Sequence, residues 1–461
     1  MTLSQKHVDA EVGVIGAGPV GSLLAGMLAL NGVDVCLFDE RDDVIEGPRA
    51  MAVNARTAQI FDVLDLKEHL LAPSPFTFSH YGRHDVNLAN IDTPWPGIWP
   101  SLQHDLNRKL IDWAVDAGTR LVRSTRYLSS SARPDGIVDA AFSNGAIGSS
   151  TFRMLVGCDG EESVVRSSAG MGQTAIAGGR RFVTANVRSA ELPIYRFELF
   201  ADGAVVSSGR IDARTHRIMM HIPTAVPVPA TSDDVASTWA LITGEALKGV
   251  VVSWGLQTDR SAVANSFRDG SVVLAGDAAH SQLPIGGCSL NYGIEDAFSL
   301  AWRIKHSLDA QTTRLLDDYA TERRFAAQRL QGFVDAQIKV LYGADPARDK
   351  SRQSEPPTVP ANPAAFLSGT DIDYQPCQTG AAGLLSATGV PLSPAQTLDL
   401  KKAQRSFQYT RIQSADGNHQ ISPTLQGLGG TENWAGPRPQ SSTHDEAFFL
   451  VRPDGYVLTN L

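Results

Sequence analysis

The stretch that most constrains this chain lies in its first forty residues: Val12-Gly13-Val14-Ile15-Gly16-Ala17-Gly18-Pro19-Val20-Gly21, followed by Asp39. Residues 12–15 read as a short buried strand. Gly16-x-Gly18-x-x-Gly21 turns that strand into a helix running to about residue 30, and 33–38 form a second apolar strand ending at Asp39. Gly16 permits the tight turn, Gly18 lets backbone approach a pyrophosphate, and Gly21 lets the helix pack closely on the strand. The helix N-terminus offers free N–H groups and a positive dipole end to phosphates. Asp39, 23 residues after the first glycine, can accept hydrogen bonds from ribose hydroxyls. Strand, helix, second strand and acid fall in register. The candidate dinucleotide contacts are therefore Gly16, Gly18, Pro19, Gly21, Asp39, Glu40 and Arg41. A membrane helix is the competing reading of the uncharged residues 12–30. Four glycines and a proline in its first ten positions oppose it.

At 461 residues the chain exceeds one compact core, so two or three domains are expected. Charged residues at 19% and apolar ones at 43% suit a soluble globular protein. A net charge of −9 with no basic run argues against nucleic acid or an anionic membrane as partner. The first ten residues are polar and lack the apolar core of a secretory signal, which makes a cytoplasmic location the expectation. Cys36, Cys158, Cys288 and Cys377 stand far apart, without a C-x-x-C or metal-ligand spacing, so no metal site is expected.

The pattern along the chain predicts an α/β protein with a Rossmann-like nucleotide domain in two pieces. Residues 1–175 form its first part, with 73–100, rich in Pro, Trp and His, reaching toward a substrate pocket. Asn54 caps an amphipathic helix over 55–64, and 105–117 form another, ended by Gly118. Residues 176–264 change to short alternating runs, the mark of an antiparallel sheet domain. Residues 265–345 return to the parallel-strand style and carry two long helices, over 291–307 and 315–341. A Pro/Ser/Gln-rich linker is expected over 346–383 and a small C-terminal domain over 384–461.

Two further motifs join the opening one: Cys158-Asp159-Gly160-Glu161-Glu162-Ser163-Val164-Val165-Arg166, and the run from Gly276-Asp277 through Pro284, Gly286-Gly287-Cys288-Ser289-Leu290-Asn291 to Ala297. That set, in that order, resembles the class A flavoprotein monooxygenases of the para-hydroxybenzoate hydroxylase fold, over residues 10 to about 330. The ending Phe449-Leu450-Val451-Arg452-Pro453-Asp454-Gly455-Tyr456-Val457 is similar to the aromatic-polyketide and phenol hydroxylases that carry a thioredoxin-like C-terminal appendage. Lacking C-x-x-C, that appendage would be structural and not redox-active.

The resemblance implies non-covalent FAD, NADPH or NADH as transient electron donor, molecular oxygen, and hydroxylation of a phenolic or polyketide ring through a C4a-hydroperoxyflavin. No catalytic acid or nucleophile need then be visible, because the cofactor carries the chemistry. It further implies that Asp277, after Gly276, accepts from a ribityl hydroxyl. Gly287, Leu290 and Asn291 would open a helix whose N–H groups face the flavin pyrimidine, and Pro284 would place its carbonyl near the ring. Asp159 would serve flavin and nicotinamide handling, Arg49 the pyrophosphate and Gln103 the ribityl chain. Bland roles stand beside these: an N-cap for Asp277, a plain turn with local Arg166 pairing for Asp159, and surface contacts for Arg49 and Gln103. His280 reads as a packing residue at a helix start. No spacing selects among His80, His84, His104, His216 and His221 as substrate contacts.

The family often has Gly-Gly-Gln-Gly-Leu-Asn where this chain has Gly286-Gly287-Cys288-Ser289-Leu290-Asn291, and a small residue where it has Tyr292. Crowding of the flavin by Ser289 and Tyr292 is the expectation. Baeyer–Villiger insertion, epoxidation, and an FAD dehydrogenase or oxidase stay open as alternatives, as does a homodimer. A flavin-binding protein without catalysis is a remoter one.

Overall fold

The computed structural model describes residues 8–143, 148–176, 178–200, 203–343 and 362–371. In the C-terminal part it describes 381–384, 401–402, 404–406, 409–415, 418–424, 447–454 and 456–458.

Parallel strands β1 (Ala10–Ile15), β2 (Val35–Phe38), β3 (Arg120–Val122) and β4 (Ser149–Gly157) join Val272–Leu274 in one sheet. The order is Val272–Leu274, β4, β1, β2, β3, and the two-residue strand Arg268–Asp269 closes the edge antiparallel. All four residues of β2 are buried and five of six in β1, as a sheet covered on both faces requires. Helix α1 (Pro19–Leu30) packs on α3 (Gln103–Asp116) and on α6 (Cys288–Ala310). Gly26 allows that approach, because a Cβ there would lie 2.3 Å from the Trp113 ring. Helix α2 (Ala55–Val63) starts at Asn54, whose side chain accepts from the Thr57 amide, as the sequence predicts.

The chain runs outward from β1 through β2 to β3, then crosses back to lay β4 on the other side of β1. That reversal opens a crevice at the carboxyl ends of β1 and β4, the place where open α/β sheets take their ligands.

The second sheet comprises β5 (Arg181–Arg188), β6 (Tyr195–Leu199), β7 (Val205–Arg210), β8 (Thr215–Ile222) and β9 (Val250–Thr258). Its order is β6-β7-β8-β5-β9, antiparallel throughout. One face buries Val183, Ala185, Val187, Ile218 and Met220 against Val235, Trp239 and Ile242 of α5 (Ser232–Thr243). The sequence reading missed α5, although Thr231 and Asp234 form a reciprocal capping box at its start. By alternation the other face presents Phe182, Thr184, Asn186, Arg217, Met219 and His221. Phe182 packs there with Leu283, Ile285 and Phe333.

Two long helices follow, α6 and α7 (Arg314–Tyr342), the first beginning three residues earlier than its sequence pattern suggests. Within the stretch read as linker lies a short helix, α8 (Pro363–Ser368), capped by Asn362 and ended by Gly369. Its Phe366 and Leu367 are buried in the same cluster as Phe333. Farther on, Ala381–Leu384, Tyr409–Ala415, Asn418–Thr424, Ala447–Val451 and Tyr456–Leu458 form an antiparallel sheet. Among the described residues no helix is long and apolar enough to cross a membrane.

Candidate flavin site

The three motifs sit at the carboxyl ends of three neighbouring parallel strands: Gly16 after β1, Cys158-Asp159-Gly160 after β4, and Gly276-Asp277 after Val272–Leu274. The first turn is shaped by two glycines that packing demands and one that it does not. Gly16 has φ +103°, and a Cβ on it would lie 2.3 Å from the Cys158 carbonyl oxygen. A Cβ on Gly21 would lie 2.0 Å from the Gly16 carbonyl oxygen. Gly18, the residue before α1, has nothing within 4 Å of that position. Pro19 occupies the first helical position, where a missing N–H costs nothing. Asp39 holds the loop: its carboxylate accepts from the Ala17 amide at 2.8 Å and from the Arg41 amide at 2.9 Å. A carboxylate has lone pairs left for a ribose. Glu40 and Arg41 are exposed and lie 3.3 Å apart.

Between residues 272 and 300 only Asp277, Pro284 and Gly287 are exposed, in a run otherwise buried or half-buried. They mark an open cleft. No described residue donates a hydrogen bond to the Asp277 carboxylate. The surrounding protein walls raise its pKa by desolvation, opposed by the charges of His280 and Arg49. The Gly276 amide donates to Asp296, whose carboxylate also meets His280 at 2.7 Å and Arg323 at 2.6 Å. His280 is buried, but on the two-residue strand His280–Ser281 and against Asp296, where the sequence suggests packing at a helix start.

Gly286 and Gly287 have φ +74° and +65°, two consecutive left-handed residues that deliver the chain into α6. The Pro284 carbonyl accepts from the Gly287 amide at 3.2 Å. The first-turn N–H groups of α6 have no acceptor within the helix, and Gly287 has open space beside it. Leu290 packs on the core. The Asn291 side chain is internal: its oxygen accepts from the Asn54 amide (2.9 Å) and the Thr57 hydroxyl (2.7 Å), and its nitrogen donates to the Gly287 carbonyl (2.7 Å). It holds the turn in place.

Asp159 also works locally. It accepts from the Ser163 hydroxyl and from the Val164 and Val165 amides, capping α4 (Val164–Ser168), while burial raises its pKa. Arg166 reaches farther than expected, donating to the carbonyls of Glu161 and Ala278. Gln103 exchanges hydrogen bonds with Ala50, beside the exposed Arg49.

Tyr292, expected to crowd the flavin, has its ring among apolar side chains. Cys288 and Tyr292 are buried behind the turn, in the cluster with Phe333, Phe366 and Leu367. The Tyr292 ring stacks on Phe366 with centroids 6.0 Å apart. Ser289 accepts from the Gln282 amide nitrogen at 2.8 Å.

A polar row on the second sheet escaped the sequence reading. Arg217 donates to the Asn186 oxygen at 2.6 Å and to the Arg49 carbonyl, and Asn186 donates to Ser253 at 3.1 Å. Arg217 is buried without a carboxylate partner among the described residues, and desolvation lowers its pKa to about 10. No local signal marks these residues, because only strand pairing brings 186, 217 and 253 together. His80 lies at the rim, its ring 5.1 Å from Phe197.

An adenine dinucleotide with a flavin end fits these residues: open backbone at Gly18, an unpartnered acceptor at Asp277, and an exposed helix start at Gly287. The comparisons agree. The FAD binding domain family matches residues 9–334. A Bacillus subtilis (strain 168) protein described as an uncharacterized aromatic compound monooxygenase is 26% identical, over 97% of this chain and 93% of its own. Dialkyldecalin synthase of Streptomyces rugosporus is 29% identical, over 71% and 72%. The crystal structure of CabE, an aromatic hydroxylase from angucycline biosynthesis, is 25% identical with TM-score 0.74, covering 98% of this chain and 95% of that one. With its nucleotide crevice and more than half its length matched, the chain belongs to the FAD binding domain family.

Proposed function

We propose that the protein is an FAD-dependent, NAD(P)H- and O2-using monooxygenase that hydroxylates an aromatic substrate, phenolic or polyketide. The observation that carries this is the convergence of the three motif turns on one crevice, with Asp277, Pro284 and Gly287 as its exposed line. Bound FAD supplies electron transfer from the nicotinamide and oxygen activation.

The chain's own residues bind and orient. Gly16, Gly18, Pro19 and Gly21 would take the pyrophosphate, with Arg49 neutralising it, and Asp39, Glu40 and Arg41 the adenosine. Gly276, Asp277, Asp159 and Gln103 would take the ribityl side. Pro284, Gly287, Leu290 and Asn291 would present the start of α6 to the ring, where the helix dipole favours negative charge. The second sheet would cover the substrate and exclude water, with Arg217, Asn186 and Ser253 offering hydrogen bonds to substrate oxygens.

The domain division proposed with this reading is 1–175 and 265–345 for FAD and 176–264 for substrate. Residues 346–383 connect to a thioredoxin-like appendage at 384–461, a reading supported by the similar chain ending.

The test is anaerobic mixing of the FAD-loaded protein with NADPH or NADH, with and without phenolic and polyketide ligands, followed by product analysis in air. The expected result is flavin bleaching accelerated by one ligand class and a product heavier by one oxygen on the ring. Bleaching by a ligand alone would indicate a dehydrogenase or oxidase. Oxygen inserted beside a carbonyl would indicate Baeyer–Villiger chemistry, and an epoxide product an epoxidase. Conversion of a ligand without nicotinamide or oxygen would remove the oxygenase reading altogether.

A further inference from the structure

The turn that opens α6 is built from two glycines in left-handed conformations, and glycine is the residue least able to hold its own backbone. Something else has to fix it. The structure supplies that from the stretch between the two sequence-predicted domains. Leu367 of α8 lies directly on Gly286: a Cβ on that glycine would be 2.9 Å from Leu367 Cδ2. The Leu367 carbonyl accepts from the Asn54 side-chain nitrogen at 3.4 Å. The Asn54 amide donates to Asn291, and Asn291 donates to the Gly287 carbonyl. One glycine is held by packing and the other through two side-chain amides.

Phe366 anchors this arrangement. Its ring stacks on Phe333 with centroids 4.0 Å apart and planes at 20°, and on Tyr292 at 6.0 Å and 27°. Arg329 lies 5.9 Å from the Phe366 ring centre and 3.4 Å from the Asp371 carboxylate, closing the segment's far end. Gly369 presses on Asn54, where a Cβ would come within 2.7 Å of the side-chain nitrogen. Cys288 and Tyr292, one helical turn apart on α6, form the seat under Phe366 and Leu367. These are positions where the chain departs from its family's usual small or polar residues. At Tyr292 the added bulk meets Phe366 of α8.

We propose that residues 362–371 are a clasp that fixes the flavin-facing Gly286–Gly287 turn, with Phe366 as its positioning residue. The inference rests on the reading that the start of α6 faces the flavin ring. With the clasp in place the first-turn N–H groups keep one direction, and their stabilisation of negative charge on the reduced ring is preorganised. Without it the two glycines regain their freedom and that stabilisation weakens.

The test uses the full chain and three readouts: FAD affinity by fluorescence titration, the reduction potential of the bound flavin, and thermal unfolding of the FAD-free protein. Phe366→Ala is expected to weaken FAD roughly tenfold, within the usual range for coupling between a packing contact and a ligand site. It should also shift the potential to more negative values, with Phe366→Leu restoring part of both. Should Phe366→Ala fail to fold, Asp371→Asn loosens the clasp without opening a cavity and should move affinity and potential in the same directions, by less. Unchanged affinity and potential in a folded variant, with only a lower melting temperature, would overturn the clasp. Gly18→Ala separates the two levels. If it too leaves FAD affinity unchanged, the site reading fails beneath the clasp; if it abolishes binding while Phe366→Ala leaves affinity and potential unchanged, the clasp alone fails.

Discussion

The guanidinium of Arg166 donates to the carbonyl oxygen of Ala278 at 2.8 Å, joining the turn after β4 to the turn that carries Asp277. Its other nitrogen donates to the Glu161 carbonyl at 2.8 Å. Two family motifs 110 residues apart are thus fastened by one nearly buried side chain. Arg166→Ala leaves the Ala278 carbonyl without that donor. The expected cost is about 1–3 kcal/mol of stability together with weaker FAD binding. Arg166→Lys should recover only part, because an ammonium cannot span both acceptors as the planar fork does. Urea unfolding with and without FAD measures both; wild-type values for the alanine variant would refute the fastening role.

Gly16 and Gly18 look equivalent in the motif and should behave differently. Gly18 has φ −70° and ψ 176°, an ordinary extended conformation, with open space around it. Gly18→Ala should therefore leave the FAD-free protein within about 0.5 kcal/mol of wild type while sharply reducing FAD affinity. Gly16→Ala meets both an unfavourable φ and the Cys158 backbone, so fold and binding should fall together. Thermal melts paired with FAD titrations distinguish the two. A Gly18→Ala protein that binds FAD like wild type would remove the cleft from consideration.

The contrast between these glycines shows where sequence reading works. Periodicity and turn chemistry are local, so the β1–α1–β2 unit, the Asn54 cap and the long α6 and α7 helices were legible. The motif glycines were legible too, because their spacing follows from backbone sterics. Helix α5 was hidden by the short β-like runs on either side, although its capping box was there to be read. Residues joined by register or by long return were not legible. Arg217, Asn186 and Ser253 meet only through strand pairing, and Phe366 reaches Tyr292 only after the chain has passed two long helices. The partner of the Tyr292 ring, Phe366, lies in what composition marks as linker.

A second return of the chain yields a pH prediction. Arg452, just after the strand Ala447–Val451, grips Glu322 of α7 with two hydrogen bonds of 2.9 and 3.0 Å, and Arg303 of α6 holds the same carboxylate. Asp454 pairs with Arg452 and accepts from the Trp302 indole at 3.1 Å. Burial alone would push the Glu322 pKa up, but the two guanidinium groups outweigh it and bring it from 4.5 down to about 2. A carboxylate depressed in the folded state stabilises above its unfolded value, and that contribution is lost as pH falls toward the folded value. Glu322 therefore contributes on the order of 3 kcal/mol at neutral pH, lost between pH 4.5 and 2. Glu322→Gln should abolish that part of the acid slope. At neutral pH it should cost about 3–5 kcal/mol, because Arg303 and Arg452 are left buried without their shared carboxylate. Urea unfolding of both proteins across this pH range is the measurement. Parallel acid slopes in wild type and variant would show that Glu322 does not carry the dependence; slopes that differ only below pH 4.5 would tie the chain's C-terminal return to the helices that frame the flavin crevice.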